Sequence, residues 1–229
     1  MSKPLPGRMT RQQPDRILIA TTNPGKVREL QASLGILARW STLLDFPGLP
    51  KVEEDGKTFA ENAAKKACGY AKATGLWTIS DDSGLEIDAL GGLPGVRSAR
   101  FAGVDGPDRR AIDLANIDKV LGLLKDVPWQ QRTARFVCHV CLASPDGILA
   151  EASGTLEGLI CLEPVGENGF GYDPIFFVPA LGRTVAQLDQ DQKNAISHRG
   201  KAIKALLPRL RALLSDPTPD MPAAGNCGS

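Results

Sequence analysis

Apolar positions divide this chain into β-like runs and helix-spaced stretches. Arg16-Ile17-Leu18-Ile19-Ala20 is a short apolar strand, and Thr21 to Lys26 follows at once. Within that turn Asn23 suits an N-cap and Pro24 the first helical position. Val27, Leu30 and Leu34 then recur on one helical face. Thr58 to Glu61 has capping-box spacing, and an Ala-rich helix is predicted to run to about Thr74 and stop at Gly75. Leu76 to Ile79 reads as a buried strand ending at Asp81-Asp82, with Ser83-Gly84 as a turn and Leu85 to Ala89 as a second strand. Gly91 to Phe101 reads as a Gly- and Pro-rich loop, and roughly Pro107 to Lys125 as a helix with Ile112, Val120, Leu121 and Leu124 on its apolar side.

The second half continues with two long strands, Thr133 to Ala143 and Ile148 to Ile160, antiparallel across Ser144-Pro145-Asp146-Gly147. Ile175 to Val178 is a further strand, and Thr184 to Ala195 has helical character. The last helix, His198 to Leu214, is amphipathic through Ile203, Leu206, Leu207, Leu210 and Leu214; Pro208 is expected to bend or break it. This order predicts an α/β fold with a mixed sheet. A GxGxxG after a strand is missing, which weakens a dinucleotide reading. Residues 1–15 read as a flexible leader, 16–214 as the folded domain and 215–229 as a flexible tail.

Composition narrows the classes. The chain has 229 residues, 42% hydrophobic and 23% charged, with net charge +1. Those values fit an ordinary globular protein with no strong bulk field for nucleic acid or membrane. No apolar run approaches membrane-spanning length and the N-terminus lacks a secretory signal, so the cytosol is the expected location. Cys138 and Cys141 form a CxxC inside a β-like run. Residues three apart on a strand face opposite ways, so this pair reads as buried thiols and not as a metal site.

Four stretches suggest chemistry. A helix N-terminus at Thr21, Thr22, Asn23, Pro24, Gly25 and Lys26 offers unpaired N–H groups, a positive dipole end and a lysine, which suits phosphate. Asp81-Asp82 offers oxygen ligands for a hard cation such as Mg²⁺, with an Asx-turn as the plain structural alternative. The acidic turn Glu53-Glu54-Asp55 is a solvated surface unless the fold brings it to Asp82, where one acid becomes a second metal ligand. Phe170, Gly171, Tyr172 and Asp173 set an aromatic face beside a carboxylate, and Lys193 to Gly200 brings Lys193, His198 and Arg199. Stacking, hydrogen-bonding groups, cations and a metal together describe a nucleoside triphosphate site.

The same stretches carry a resemblance. Thr22-Asn23-Pro24-Gly25-Lys26, Gly56 to Ala63, Asp81-Asp82-Ser83-Gly84-Leu85, Leu90 to Gly95 with Ser98-Ala99-Arg100, Phe170 to Pro174 and Ile196-Ser197-His198-Arg199-Gly200 occur in one order. In that order and content the sequence resembles the inosine triphosphate pyrophosphatases, over all but its two ends. The resemblance implies a long, mixed, twisted sheet flanked by helices, in two lobes with the active-site cleft between them. It implies Mg²⁺-dependent hydrolysis of ITP, dITP and XTP to the monophosphate and pyrophosphate, by a homodimer. Asp82 matches the general base and metal ligand, and Glu54 the second metal ligand, with Glu53 the fallback. Thr21 to Lys26, Ser83 and Lys193 match substrate-binding positions; Phe170 to Asp173 with His198 and Arg199 match the base pocket. Arg199 or a backbone N–H is the expected donor to a 6-oxo purine, a contact that adenine cannot satisfy. Ser80 and Glu167-Asn168 depart from the family's pattern.

Three other readings compete. One is a pyrophosphatase for pyrimidine or modified nucleotides; a second is a non-catalytic nucleotide sensor. The third, an RNA-binding protein, is disfavoured by near-neutral charge and the lack of a basic stripe.

Overall fold

The computed structural model describes Pro14 and residues 16–215. The expected leader and tail, apart from Pro14 and Ser215, lie outside the described residues. Seven strands form one mixed sheet in the order β2-β1-β3-β4-β5-β6-β7. They are β1 (Ile17–Ile19), β2 (Trp40–Thr42), β3 (Trp77–Ile87), β4 (Thr133–Ser144), β5 (Gly147–Ile160), β6 (Phe176–Val178) and β7 (Arg183–Thr184). β1 runs parallel to β2 and β3; every later pairing is antiparallel. The helices are α1 (Pro24–Leu34), α2 (Phe59–Thr74), α3 (Arg109–Leu123), α4 (Gln190–Ile196) and α5 (His198–Ser215). No helix among the described residues is long and apolar enough to cross a membrane.

Period-2 side-chain alternation decides which face each helix covers. Cys138, Val140 and Leu142 of β4 point with Ile17, Ile19 and Ile79 into a core closed by α1 and α5. Cys141 and Ala143 point the other way, against Ala63, Ala67 and Ala71 of α2. The two thiols of the CxxC therefore lie on opposite faces, and burial, with Asp81 next, pushes Cys138 up to about 12. A second core gathers Leu85, Ile87, Phe136, Leu156, Ile175 and Phe176 under Ile117, Val120 and Leu124. β3 and β4 contribute to both cores.

Local sequence signals set several element ends. Thr58 caps α2 by accepting from Glu61 N–H, and Gly75 ends the helix in the left-handed region at φ 73°. Asp108 caps α3, so that helix starts two residues later than its apolar pattern predicts. Arg132, buried, donates from all three guanidinium nitrogens to the carbonyls of Leu124, Val127 and Cys161, closing the end of α3.

Three expectations change in the structure. Ser83-Gly84 is not a turn: β3 is one strand of eleven residues, and the acid pair lies inside it. Gly84 serves close approach instead, since a Cβ there would meet Ser98 Oγ at 2.4 Å, Gly95 O at 2.6 Å and Phe59 Cε1 at 2.9 Å. Pro208 does not break α5; Ile203, Leu206, Leu210 and Leu213 are buried on both sides of it and hold one helix. Helix over Thr184 to Ala195 gives way to a 3₁₀ turn, Val185–Gln187, and to α4, which begins only after the N-cap Asp189.

Gly84→Ala tests the close-approach role. Overpacking against backbone and a buried ring costs about 1–3 kcal/mol, so the variant is expected to melt several degrees below the parent. A melting temperature equal to the parent's would show that Gly84 is not needed for packing.

Candidate active site

β1 delivers the chain to α1 through Thr21, Thr22 and Asn23. Asn23 Oδ1 accepts from Gly25 N–H at 2.9 Å and Lys26 N–H at 3.3 Å, while Asn23 N–H reaches Thr21 Oγ1 at 3.2 Å. The N–H groups expected to be free for phosphate at Gly25 and Lys26 are thus held by the cap. The dipole end and the two threonines remain.

Consecutive acids on β3 face opposite ways. Asp81 points into the core and is fully buried. Its Oδ2 receives Lys26 Nζ at 2.9 Å, Arg199 Nε at 3.1 Å and Ser83 Oγ at 3.2 Å. Burial pushes the Asp81 carboxyl up, but Lys26, Arg199 and Lys66 outweigh it and hold it well below the usual carboxylate range. Asp82 points to the α2 side. Asn62 Nδ2 donates to its Oδ2 at 3.0 Å, and its own backbone neighbour Ser83 N–H reaches Oδ1 at 3.0 Å. Here burial wins over Lys66, Lys26 and Asn62, so Asp82 is more basic than an ordinary aspartate.

The acidic turn does come to Asp82. Asn62 ties the two together, accepting from Gly56 N–H at 2.8 Å while it donates to Asp82. Glu54 lines the same cavity as Asp82. Glu53 is exposed and Asp55 pairs with Lys65 at 2.5 Å on the surface. Lys66 of α2 stands 2.7 Å from Glu54 and 3.9 Å from Asp82. Burial opposes its charge, yet Asp81, Asp82 and Glu54 keep it protonated.

The opposite wall is the loop before β6. Phe170 N–H donates to Asp173 Oδ2 at 2.9 Å and Gly171 N–H to Asp113 Oδ2 at 2.8 Å. Tyr172 OH donates to Ser98 O at 2.8 Å. Phe170 lies over Lys193 Nζ at 4.4 Å, and a Cβ on Gly25 would meet its ring at 2.7 Å. His198 stacks on Phe136 at 4.9 Å between centroids. Burial, then Arg199 and Lys193, lowers the His198 pKa far below the usual imidazole value, so the ring is neutral.

Glu29 of α1 joins these parts. Its two oxygens accept from Lys193 Nζ at 2.9 Å and from Arg199 Nη1, and Lys193 also reaches Asp173 at 2.7 Å. Arg199 completes its contacts through Nη2 to Ser83 Oγ at 2.7 Å. Three of its five N–H groups are thus paired inside the protein.

One cavity of about 400 Å³ lies among these groups. Thr21, Thr22, Asn23, Lys26, Glu54, Asp82, Ser83, Phe170, Gly171, Tyr172, Asp173, Lys193, His198 and Arg199 all line it. Pro24 and Gly25 do not: Pro24 opens α1, and Gly25 lies beneath Phe170. Sequence reasoning missed Lys66, Glu29, Asn62 and Asp113. The available signal was a charged or amide residue on the apolar stripe of a helix, which is uncommon unless it has a buried partner.

Comparison with known proteins gives the family. A family model described as the Ham1 family matches residues 17–209. A dITP/XTP pyrophosphatase of Desulforamulus reducens is 49% identical over 199 residues, 86% of this chain and 96% of that protein. One from Geobacter sulfurreducens is 50% identical over 83% of this chain and 94% of its own length. The solved structure of the Staphylococcus aureus Ham1 protein has a TM-score of 0.74 at 42% identity, covering 87% of this chain and 98% of that one. A nucleoside-triphosphatase / dITP/XTP pyrophosphatase from Mycobacterium abscessus has a TM-score of 0.68 at 43% identity, over 84% and 99%. With the family model spanning β1 to α5 and relatives near half identity over most of both chains, this protein belongs to the Ham1 family.

Proposed function

We propose that this protein hydrolyses ITP, dITP and XTP to the nucleoside monophosphate and pyrophosphate, in the cytosol and as a homodimer, so clearing deaminated purines from the precursor pool. The observation that supports this most is the meeting of three groups in one cavity. These are the Thr21–Lys26 turn, the Asp82–Glu54–Lys66 cluster and the Phe170–Asp173 loop with His198. The names of the relatives point to dITP and XTP.

Each group has a task in that reaction. Asp82, made more basic by burial, accepts a proton from the attacking water. The water's oxygen bonds to the α-phosphorus, and the bond from that phosphorus to the bridging oxygen breaks, releasing pyrophosphate. Lys66 and the α1 dipole offset negative charge on the leaving side. Asp82 and Glu54 are the residues that would hold Mg²⁺. Their fit to a cation is visible in Lys66, whose ammonium already stands between the two carboxylates. Two carboxylates with phosphate oxygens suit this ion, which when bound screens phosphate charge and acidifies coordinated water.

On the base side, Phe170 provides a face for stacking. A 6-oxo group is read by Arg199, which lines the cavity and has N–H groups beyond those paired inward, by the neutral His198 through whichever nitrogen carries its proton, or by backbone N–H. A buried donor facing the amino group of adenine would be left unpaired, which is a costly mismatch.

The deciding experiment is pyrophosphate release over ITP, dITP, XTP, dTTP, UTP and ATP, with and without Mg²⁺. Release is expected from the first three with Mg²⁺ and to fall to background with a chelator. Preference for dTTP or UTP would establish the pyrimidine reading instead. Asp82→Asn is expected to lower kcat by about 10²-fold or more while ITP still binds; unchanged turnover would remove Asp82 from the chemistry. In the metal-free protein, where burial raises its pKa, the Asp82 carboxyl is expected to titrate above an exposed aspartate; a carboxyl-carbon NMR titration at or below the exposed value would contradict that.

A further inference from the structure

We infer that Asp113 of α3 is a positioning residue for purine recognition, holding the base-side loop in shape through the Gly171 N–H. The inference rests on the substrate reading above and names a residue that reading does not use.

The inward stripe of α3 is not purely apolar. Asp113 and Asn116 are buried on it, next to Ile117 and Val120. A buried carboxylate on a helix needs a partner to offset its lost hydration. Asp113 finds one across 58 residues of chain, where its Oδ2 accepts from Gly171 N–H at 2.8 Å. Arg109, one turn earlier, places Nε 3.1 Å from Oδ1 and fixes the carboxylate from the exposed side.

Gly171 is where the loop needs fixing. It sits at φ 61°, in the left-handed region, between the two aromatic residues Phe170 and Tyr172. The preceding amide, Phe170 N–H, is taken by Asp173 from inside the loop. The next is taken by Asp113 from another element. Two carboxylates on successive amides therefore orient the peptide units that carry the Phe170 ring. Asp113 also lines the cavity, on the same wall as Phe170.

Other contacts hold α3 in place without Asp113. Asn116 accepts from Ala102 N–H at 2.7 Å, and Lys119 Nζ donates to Phe101 O at 2.7 Å. Losing Asp113 therefore frees the loop and leaves α3 where it is. Asp113 itself bonds to Gly171 and Arg109 and to nothing on α1, α2 or β3, although Gly25 of α1 lies beneath the Phe170 ring. The main effect of losing Asp113 therefore falls on the base side of the substrate.

Steady-state kinetics with ITP, and inhibition by IMP and by pyrophosphate, separate the two sides. Asp113→Ala is expected to raise KM for ITP about tenfold and change kcat by less than about threefold. Inhibition by IMP weakens about tenfold, and inhibition by pyrophosphate stays at the parent value. Asp113→Asn keeps an acceptor oxygen and is expected to stay within about threefold of the parent in all three. If Asp113→Ala does not fold, Asp113→Ser, too short to reach Gly171, replaces it with the same expectation. Parent-like KM and IMP inhibition in the shortened variant overturn the inference, as does equal loss of IMP and pyrophosphate inhibition. Failure of the substrate reading is distinct, because it shows as a parent protein that does not turn over ITP.

Discussion

A chain of six charges, five of them buried and Lys26 partly so, holds the cavity together. It runs Asp173, Lys193, Glu29, Arg199, Asp81, Lys26, with signs alternating at every step. The members come from the loop before β6, from α4, α1, α5 and β3, so one electrostatic sequence fixes five separate pieces of backbone. Burying such ions is expensive, and a buried pair often adds little net stability over an apolar substitute. Removing one member is different, because it strands a charge and costs about 3–5 kcal/mol. The chain therefore works as a constraint on arrangement. An apolar core could fill the same volume without specifying where Phe170 and His198 sit relative to Asp82.

β3 shows how neighbouring residues of one type take different work. Period-2 alternation sends Asp81 into the charge chain and Asp82 to the cavity wall. Burial acts on both, and their neighbours decide the outcome. Three cations outweigh it at Asp81, which stays ionised as an anchor. At Asp82 the cations only partly offset it, and the carboxylate keeps an affinity for protons. The same tripeptide supplies Ser83, whose hydroxyl takes a hydrogen bond from Arg199 and gives one to Asp81.

Much of this was legible in the sequence, and what was not has physical causes. The α2 helix, its Thr58 cap and its Gly75 stop follow from local chemistry alone, as do the long β4–β5 hairpin and the Asn23-Pro24 start of α1. The glycine at Gly84 misleads because its reason is tertiary: Ser98 and Gly95 press on it from a distant segment. Pro208 misleads similarly, since packing on both sides overrides local helix-breaking. β2 and β7, of three and two residues, carry too little pattern to be found. Glu29, Lys66 and Asp113 are charges on buried helix faces, and their partners lie far off in sequence. The motif residues were readable as a set; the charges that orient them were not.

The sheet carries a mechanical consequence. β3 spans roughly 35 Å at ordinary strand rise, and with β4 it passes beneath both hydrophobic cores without interruption. No flexible joint separates the two halves along these strands. Any breathing of the cleft must bend the shared strands as a leaf spring bends, with a restoring force set by the β3–β4 ladder. Bending of that kind loads the ladder without changing its register.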